Sequence, residues 1–197
     1  MSKLYFRYGS MSCGKSLDLL RVAYNYEEHH KKAIIFTSNH DDRYGKNIVK
    51  SRTGLEKPAI PVSDDTNIFN YIDNLPYSVD CVLVDEVQFF QKHHIFELSD
   101  IVDKLDIPVI AYGLRSDFRM EPFEGSTYML ILADQIEELK TLCVECNKKA
   151  VLNVRYSKIE VADGFVKQIL TDGEQVQVGG NESYIPLCRK CYKQMIK

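Results

Sequence analysis

Gly9-Ser10-Met11-Ser12-Cys13-Gly14-Lys15-Ser16 has the spacing G-x-x-x-x-G-K-S, which suits the holding of a nucleotide's phosphates. The two glycines let the backbone curl until successive N–H groups point inward at one phosphate. Lys15 can then reach the β and γ oxygens, and the Ser16 hydroxyl is placed to ligate Mg²⁺. A second group, Asp85-Glu86, closes the apolar run Val79-Asp80-Cys81-Val82-Leu83-Val84. The carboxyl end of a buried strand is where a phosphate-loop enzyme keeps the acid that partners its magnesium. Asp85 is therefore expected to hold the metal across from Ser16. Glu86 is expected to accept a proton from whatever attacks the γ-phosphate. An Asp-Glu pair alone is more often a solvated strand end; the phosphate loop upstream reverses that reading.

Cys143-Val144-Glu145-Cys146 and Cys188-Arg189-Lys190-Cys191 supply four thiolates in two C-x-x-C knuckles. Four cysteines around one tetrahedral Zn²⁺ leave no open position, so a structural site is expected rather than a catalytic one. Cys81 reads as strand packing, and Cys13 has no role that its type or place suggests. His93-His94 lack a further ligand at metal spacing and read as surface positions on a helix.

These groups need elements to carry them. Lys3–Tyr8 has the alternating aromatic look of a strand before the loop, and Ser16–Tyr24 has helical apolar spacing after it. That helix would aim its positive end at the phosphates. Lys32–Thr37, Ala59–Val62, Val79–Val84 and Ile107–Gly113 read as further strands, with helices over Thr66–Leu75 and most of Val87–Leu105. Apolar strands separated by helices predict an α/β fold, a mainly parallel sheet covered on both faces. Residues 39–57 are polar and predict a long loop, suited to a mobile cover. Past Cys143 the chain turns to short β-like runs and paired cysteines, so two domains are expected, 1–142 and 143–197.

The 197 residues carry a net charge of −3 and are 45% hydrophobic and 27% charged, as in ordinary globular proteins. Such a balance gives no support to broad electrostatic binding of nucleic acid. No apolar run approaches the ~20 residues that span a membrane, and the N-terminus does not resemble a secretory signal. A cytoplasmic location with reduced cysteines is the expectation.

The phosphate loop, Asp85-Glu86-Val87-Gln88-Phe89-Phe90, Ala111-Tyr112-Gly113-Leu114-Arg115-Ser116-Asp117-Phe118, the cysteine pairs and Val178-Gly179-Gly180 occur in an order that resembles the thymidine kinases of the zinc-containing, RecA-like type. The resemblance covers nearly the whole chain. It implies a RecA-like kinase domain and a homotetramer with structural zinc. The implied reaction transfers the γ-phosphoryl of ATP to the 5′-hydroxyl of thymidine or deoxyuridine, in pyrimidine deoxynucleotide salvage, with dTTP inhibiting from the thymidine site. By that resemblance Glu86 stands at the catalytic base and Asp85 at the magnesium-associated acid. Met11, Leu114, Phe118 and Phe123 fall at positions lining the thymine pocket, and Arg43 matches an arginine near the phosphates. Val176, Gln177, Val178, Gly179 and Gly180 open a loop, running to Tyr184, that wraps the base; Tyr184 matches an aromatic that closes over it. Asn153 replaces a Thr found near the base in several relatives, and Gln177 replaces an apolar residue; both bear on pyrimidine preference and inhibitor strength.

Two other functions fit parts of the pattern. A RecA-like ATPase with a zinc ribbon acting on DNA would use Glu86 to activate water, but the chain lacks room for a second motor domain and is slightly negative. A nucleotide-binding regulatory module would leave Glu86 without a task.

Overall fold

The structure is a computed structural model describing residues 1–39, 47–161, 164–175 and 184–196. Leu4–Tyr8 forms β1, Lys15–Glu28 α1, Ala33–Ser38 β2, Ile48–Lys50 β3, Glu56–Pro58 β4 and Ile60–Val62 β5. Ile68–Asp73 follows as α2, Cys81–Val84 as β6, Lys92–Leu105 as α3, Val109–Gly113 as β7, Glu124–Leu132 as α4 and Gln135–Glu138 as β8. Six of the strands make one sheet in the order β5-β2-β6-β7-β1-β8. Every pairing in it is parallel, as the apolar strands require.

Strand alternation divides the core in two. Cys81, Leu83, Ile110 and Tyr112 face α1, packing on Leu19, Leu20 and Ala23. Val82, Val84, Val109 and Ala111 face the other way, onto Ile68, Ile95, Leu98, Ile101 and Met129 of α2, α3 and α4. Each Val, Leu, Ile or Met among them, buried, contributes about 2 kcal/mol. Together the two layers fix the strand ends that carry Gly9, Asp85 and Leu114.

Beyond α4 the chain builds a smaller module. Leu152–Val161 (β9), Gly164–Leu170 (β10) and Tyr184–Leu187 (β11) pair antiparallel in the order β10-β9-β11, and Arg189–Met195 is a last short helix, α5. Its own apolar cluster joins Ala150, Val154, Ile185, Leu187 and Tyr192 to three of the knuckle cysteines.

Three local expectations need correction. The polar stretch 39–57 is not a loop throughout: β3 and β4 pair as a hairpin, because Val49 is buried against the α1 layer. The helix expected over Val87–Leu105 is interrupted. Val87–Phe89 makes one 3-10 turn, Phe90 and Gln91 are extended, and α3 begins at Lys92. His94 is not on the surface but buried, accepting at Nδ1 from the Gln91 amide (3.2 Å) and lying edge-on to Phe90. Three residues into α3, it falls on the inward face shared with Ile95 and Leu98.

α4 enters tightly against the 3-10 turn. A Cβ on Gly125 would stand 2.2 Å from the Val87 carbonyl oxygen and 2.7 Å from that of Phe90. Both are backbone atoms, so neither yields cheaply. Gly125→Ala should destabilise the protein by about 2 kcal/mol or more, read as a lower denaturant midpoint at unchanged m-value.

Candidate active site

The carboxyl ends of β1, β6 and β7 meet at one edge of the sheet, the usual place for a ligand in such folds. The phosphate loop leaves β1 there and is closed by its own backbone, with the Cys13 amide donating to the Ser10 carbonyl and the Gly9 amide to that of Gly113. Gly14, at φ 89°, turns the loop into α1 in a left-handed conformation that glycine adopts freely. No side chain caps α1, so the amides of its first turn and its positive dipole face outward for an anion. Lys15 is buried, its Nζ lying 3.4 Å from the carbonyl oxygens of Gly9 and Ser10. At that length the bonds are weak, and an arriving phosphate oxygen would outcompete them.

Opposite the loop, the Ser16 hydroxyl donates to Asp85 Oδ2 at 3.1 Å. Adjacent oxygen ligands of an octahedral magnesium at ~2.1 Å lie about 3 Å apart, so this pair fits two neighbouring positions of such an ion. Asp85 is buried, and burial pushes its carboxyl up to about 7. The charge of Glu86 adds to that rise, while Lys15 and the Ser16 hydroxyl oppose it. Glu86 sits at φ 53°, in the left-handed region, which costs a residue with a Cβ about 1 kcal/mol or more. The turn aims its carboxylate at Gln88, whose Nε2 donates to Glu86 Oε2 at 2.5 Å. Gln88 Oε1 accepts in turn from the Leu114 amide at 3.0 Å, and the Leu114 carbonyl accepts from Ser126 Oγ at 2.5 Å. Gln88 thus ties the acid that follows β6 to the chain leaving β7.

The residues expected around the acceptor base are partly assembled. Phe118 and Phe123 are buried, and Leu114, Met11 and Tyr184 half-buried. Phe118 meets Tyr184 edge-on, ring centroids 6.4 Å apart, and Phe123 meets Phe89 the same way at 5.6 Å. The Met11 amide donates to Asn153 Oδ1 at 2.7 Å, so the phosphate loop is held by a side chain from β9. Arg52, in the turn between β3 and β4, donates to Ser12 Oγ at 2.8 Å. Arg43 and residues 176–180 lie outside the described residues.

The sulfurs of Cys143, Cys146, Cys188 and Cys191 all lie within 4.8 Å of one another. A zinc tetrahedron with bonds of ~2.3 Å has edges of about 3.8 Å, and the Cys146 and Cys188 sulfurs stand 3.6 Å apart. The backbone amide of Cys191 donates to the Cys188 sulfur and pulls that thiol down, while hydrogen bonds to its neighbours, Cys146 first, push the Cys191 thiol up.

Four contacts carry no sequence signal of their own: Gln88 to Glu86, Asn153 to Met11, Arg52 to Ser12 and Ser126 to Leu114. The first spans two residues, yet its geometry depends on the positive φ at Glu86. The others join residues 12 to 142 positions apart.

A parallel sheet with a phosphate loop at its carboxyl edge, an acid facing the loop's serine and a four-thiolate module define a P-loop nucleotide-binding enzyme. The family profile described as thymidine kinase matches residues 2–192. The thymidine kinase of Shouchella clausii is 52% identical over 98% of this chain and 97% of its own, and that of Lactiplantibacillus plantarum is 53% identical over 98% and 96%. Among solved structures, the flagellar accessory protein FlaH from Methanocaldococcus jannaschii overlaps 85% of this chain and 77% of its own at 14% identity, with a TM-score of 0.43. The chain belongs to the thymidine kinase family. No helix among the described residues is long and apolar enough to cross a membrane.

Two measurements test this geometry. Purified protein should carry about one zinc per chain; metal analysis finding none would remove the thiolate site. The Asp85 carboxyl, lying higher in the folded than the unfolded chain, makes the native state bind more protons between about pH 4 and 7. Its contribution to stability is full in acid and is lost as pH rises through about 7. Asp85→Asn, neutral throughout, should therefore stabilise the nucleotide-free protein near pH 8, by about 4 kcal/mol at most, and by little below about pH 5. Thermal denaturation across that range checks it.

Proposed function

We propose that this protein transfers the γ-phosphoryl group of ATP to the 5′-hydroxyl of thymidine, and of deoxyuridine, giving the 5′-monophosphate and ADP. The observation that carries this reading is the Glu86 carboxylate, next in the chain to Asp85 and held by Gln88, which also holds the chain that carries Leu114. A hydrolase acting on DNA needs no such link from its acid to a nucleoside pocket. Membership of the thymidine kinase family supports the same choice of acceptor.

In this reading the amides of residues 9–16 cradle the β- and γ-phosphates. Lys15 releases the Gly9 and Ser10 carbonyls to bind them, and Arg43 adds a further cation. Ser16 and Asp85 are the residues that would hold Mg²⁺, which when bound neutralises charge on the phosphates. Glu86 accepts the proton of the 5′-hydroxyl as its oxygen attacks the γ-phosphorus in line with the departing ADP oxygen. The Gln88 bond steadies that carboxylate, and burial keeps competing water out. Met11, Leu114, Phe118, Phe123 and Tyr184, with Val176, Gln177, Val178, Gly179 and Gly180, enclose the base. Cys143, Cys146, Cys188 and Cys191 hold a structural zinc.

Residues 1–142 serve as the kinase domain and 143–197 as the zinc-binding domain with its base-wrapping loop. The enzyme is a cytoplasmic homotetramer in pyrimidine deoxynucleotide salvage, with no nucleic acid or membrane partner, and dTTP inhibits it by occupying the thymidine site.

Incubation with γ-labelled ATP and a panel of nucleosides should move label to thymidine. DNA-stimulated phosphate release without a nucleotide product would instead favour the motor. Glu86→Gln should lower kcat by about 10²-fold or more while sparing ATP affinity; near-normal turnover would sink Glu86 as the base.

A further inference from the structure

Arg155 is almost wholly buried, 4% exposed, and among the described residues no carboxylate forms an ion pair with it. A buried cation is costly unless something in its surroundings replaces water. Two aromatic residues do so here. The guanidinium carbon lies 3.8 Å from the centre of the Phe118 ring and 5.1 Å from that of Tyr184. Arg155 Nε donates to the Tyr184 hydroxyl oxygen at 2.7 Å, and Nη2 donates to the same atom. The pairing of β9 with β11 sets Arg155 directly across from Tyr184. A Cβ added to Gly173 would lie 3.5 Å from Arg155 Nη1 and 3.8 Å from Phe118 Cζ, so the backbone ahead of residues 176–183 also abuts this cluster.

We propose that Arg155 is a positioning residue for the acceptor pocket, fixing the Phe118 and Tyr184 rings in their near-perpendicular arrangement by stacking on one and donating twice to the other. The inference rests on the reading of Phe118 and Tyr184 as walls of the thymidine site. Phe118 comes from the segment after β7 and Tyr184 from β11, so neither strand pairing nor helix packing sets one ring relative to the other. Their interplanar angle of 74° is set by a planar group touching both. Only a guanidinium can sit over one ring while two of its N–H groups converge on one oxygen; an ammonium keeps the charge but loses the fork. The phenol oxygen, accepting from Arg155, has its own proton directed away from it. That leaves the hydroxyl a donor toward whatever lies on the far side. The cluster is remote in function from the phosphates: none of these contacts reaches Lys15, Ser16, Asp85 or Glu86.

The test is steady-state kinetics on the full-length, zinc-loaded protein with Arg155→Lys, varying thymidine and ATP separately. Zinc content and thermal midpoint serve as checks on folding. KM for thymidine should rise about 10-fold or more while KM for ATP stays within about 2-fold and kcat at saturation within about 3-fold. In a Tyr184→Phe background the further effect of Arg155→Lys should shrink to about 3-fold or less, because the shared hydroxyl is gone. A thymidine KM within about 2-fold of wild type, or an ATP KM rising in step with it, overturns the proposal. So does an Arg155→Lys effect undiminished by Tyr184→Phe. Should Arg155→Lys fail to fold, Tyr184→Phe alone must raise thymidine KM by about 3-fold or more, and an unmoved value overturns the proposal. Wild-type protein that moves no label to thymidine overturns the functional reading and this inference together. Normal transfer with an indifferent Arg155→Lys overturns this one alone.

Discussion

Asp85 and Glu86 are neighbours, both buried at the end of β6, and much of the surrounding structure answers the cost of that placement. In so poorly solvated a site, the Glu86 charge and burial together oppose the ionisation of Asp85. Lys15 supplies a counter-charge to Asp85 and Ser16 a hydrogen bond. The Glu86 backbone turns into the left-handed region, so that its side chain leaves Asp85 and meets Gln88 instead. Gln88 is in turn committed to Leu114, and Leu114 to Ser126 in α4. A chain of contacts thus runs from the acids through the 3-10 turn to the far side of the sheet. The tight seating of Gly125 keeps α4 close enough to complete it.

The arrangement is poised rather than relaxed. Lys15 rests on loop carbonyls at long range, and burial beside Glu86 works against the charge on Asp85. A charged phosphate oxygen would offer Lys15 a stronger partner than those carbonyls. Stability given up in the empty site returns as affinity when the site fills.

What could be read from the residue string was whatever is local. The phosphate loop, the acidic pair after a buried strand and the two C-x-x-C knuckles each lie within a few residues, and apolar runs marked the central strands. The edge strand β8 escaped notice because Gln135-Ile136-Glu137-Glu138 is mostly exposed and shows no apolar run. The hairpin inside 39–57 was hidden by its polar turn, and only Val49 hinted at burial. His94 looked superficial because its neighbour His93 is, although one position on a helix turns a side chain by about 100°. Gln88, Asn153 and Arg155 are ordinary polar residues in one dimension; their significance comes from partners that topology alone delivers.

The bond from the Met11 amide to Asn153 bears on how this chain can be divided. Composition and cluster membership change near residue 142, yet one amide of the phosphate loop is completed only from β9. Cutting the chain at that seam would leave the nucleotide cradle with an unanswered N–H and a freer Met11. The cysteine module is then more than an appendage: it finishes the inner surface of the loop. Two units that look separable along the sequence are joined at the floor of the phosphate loop.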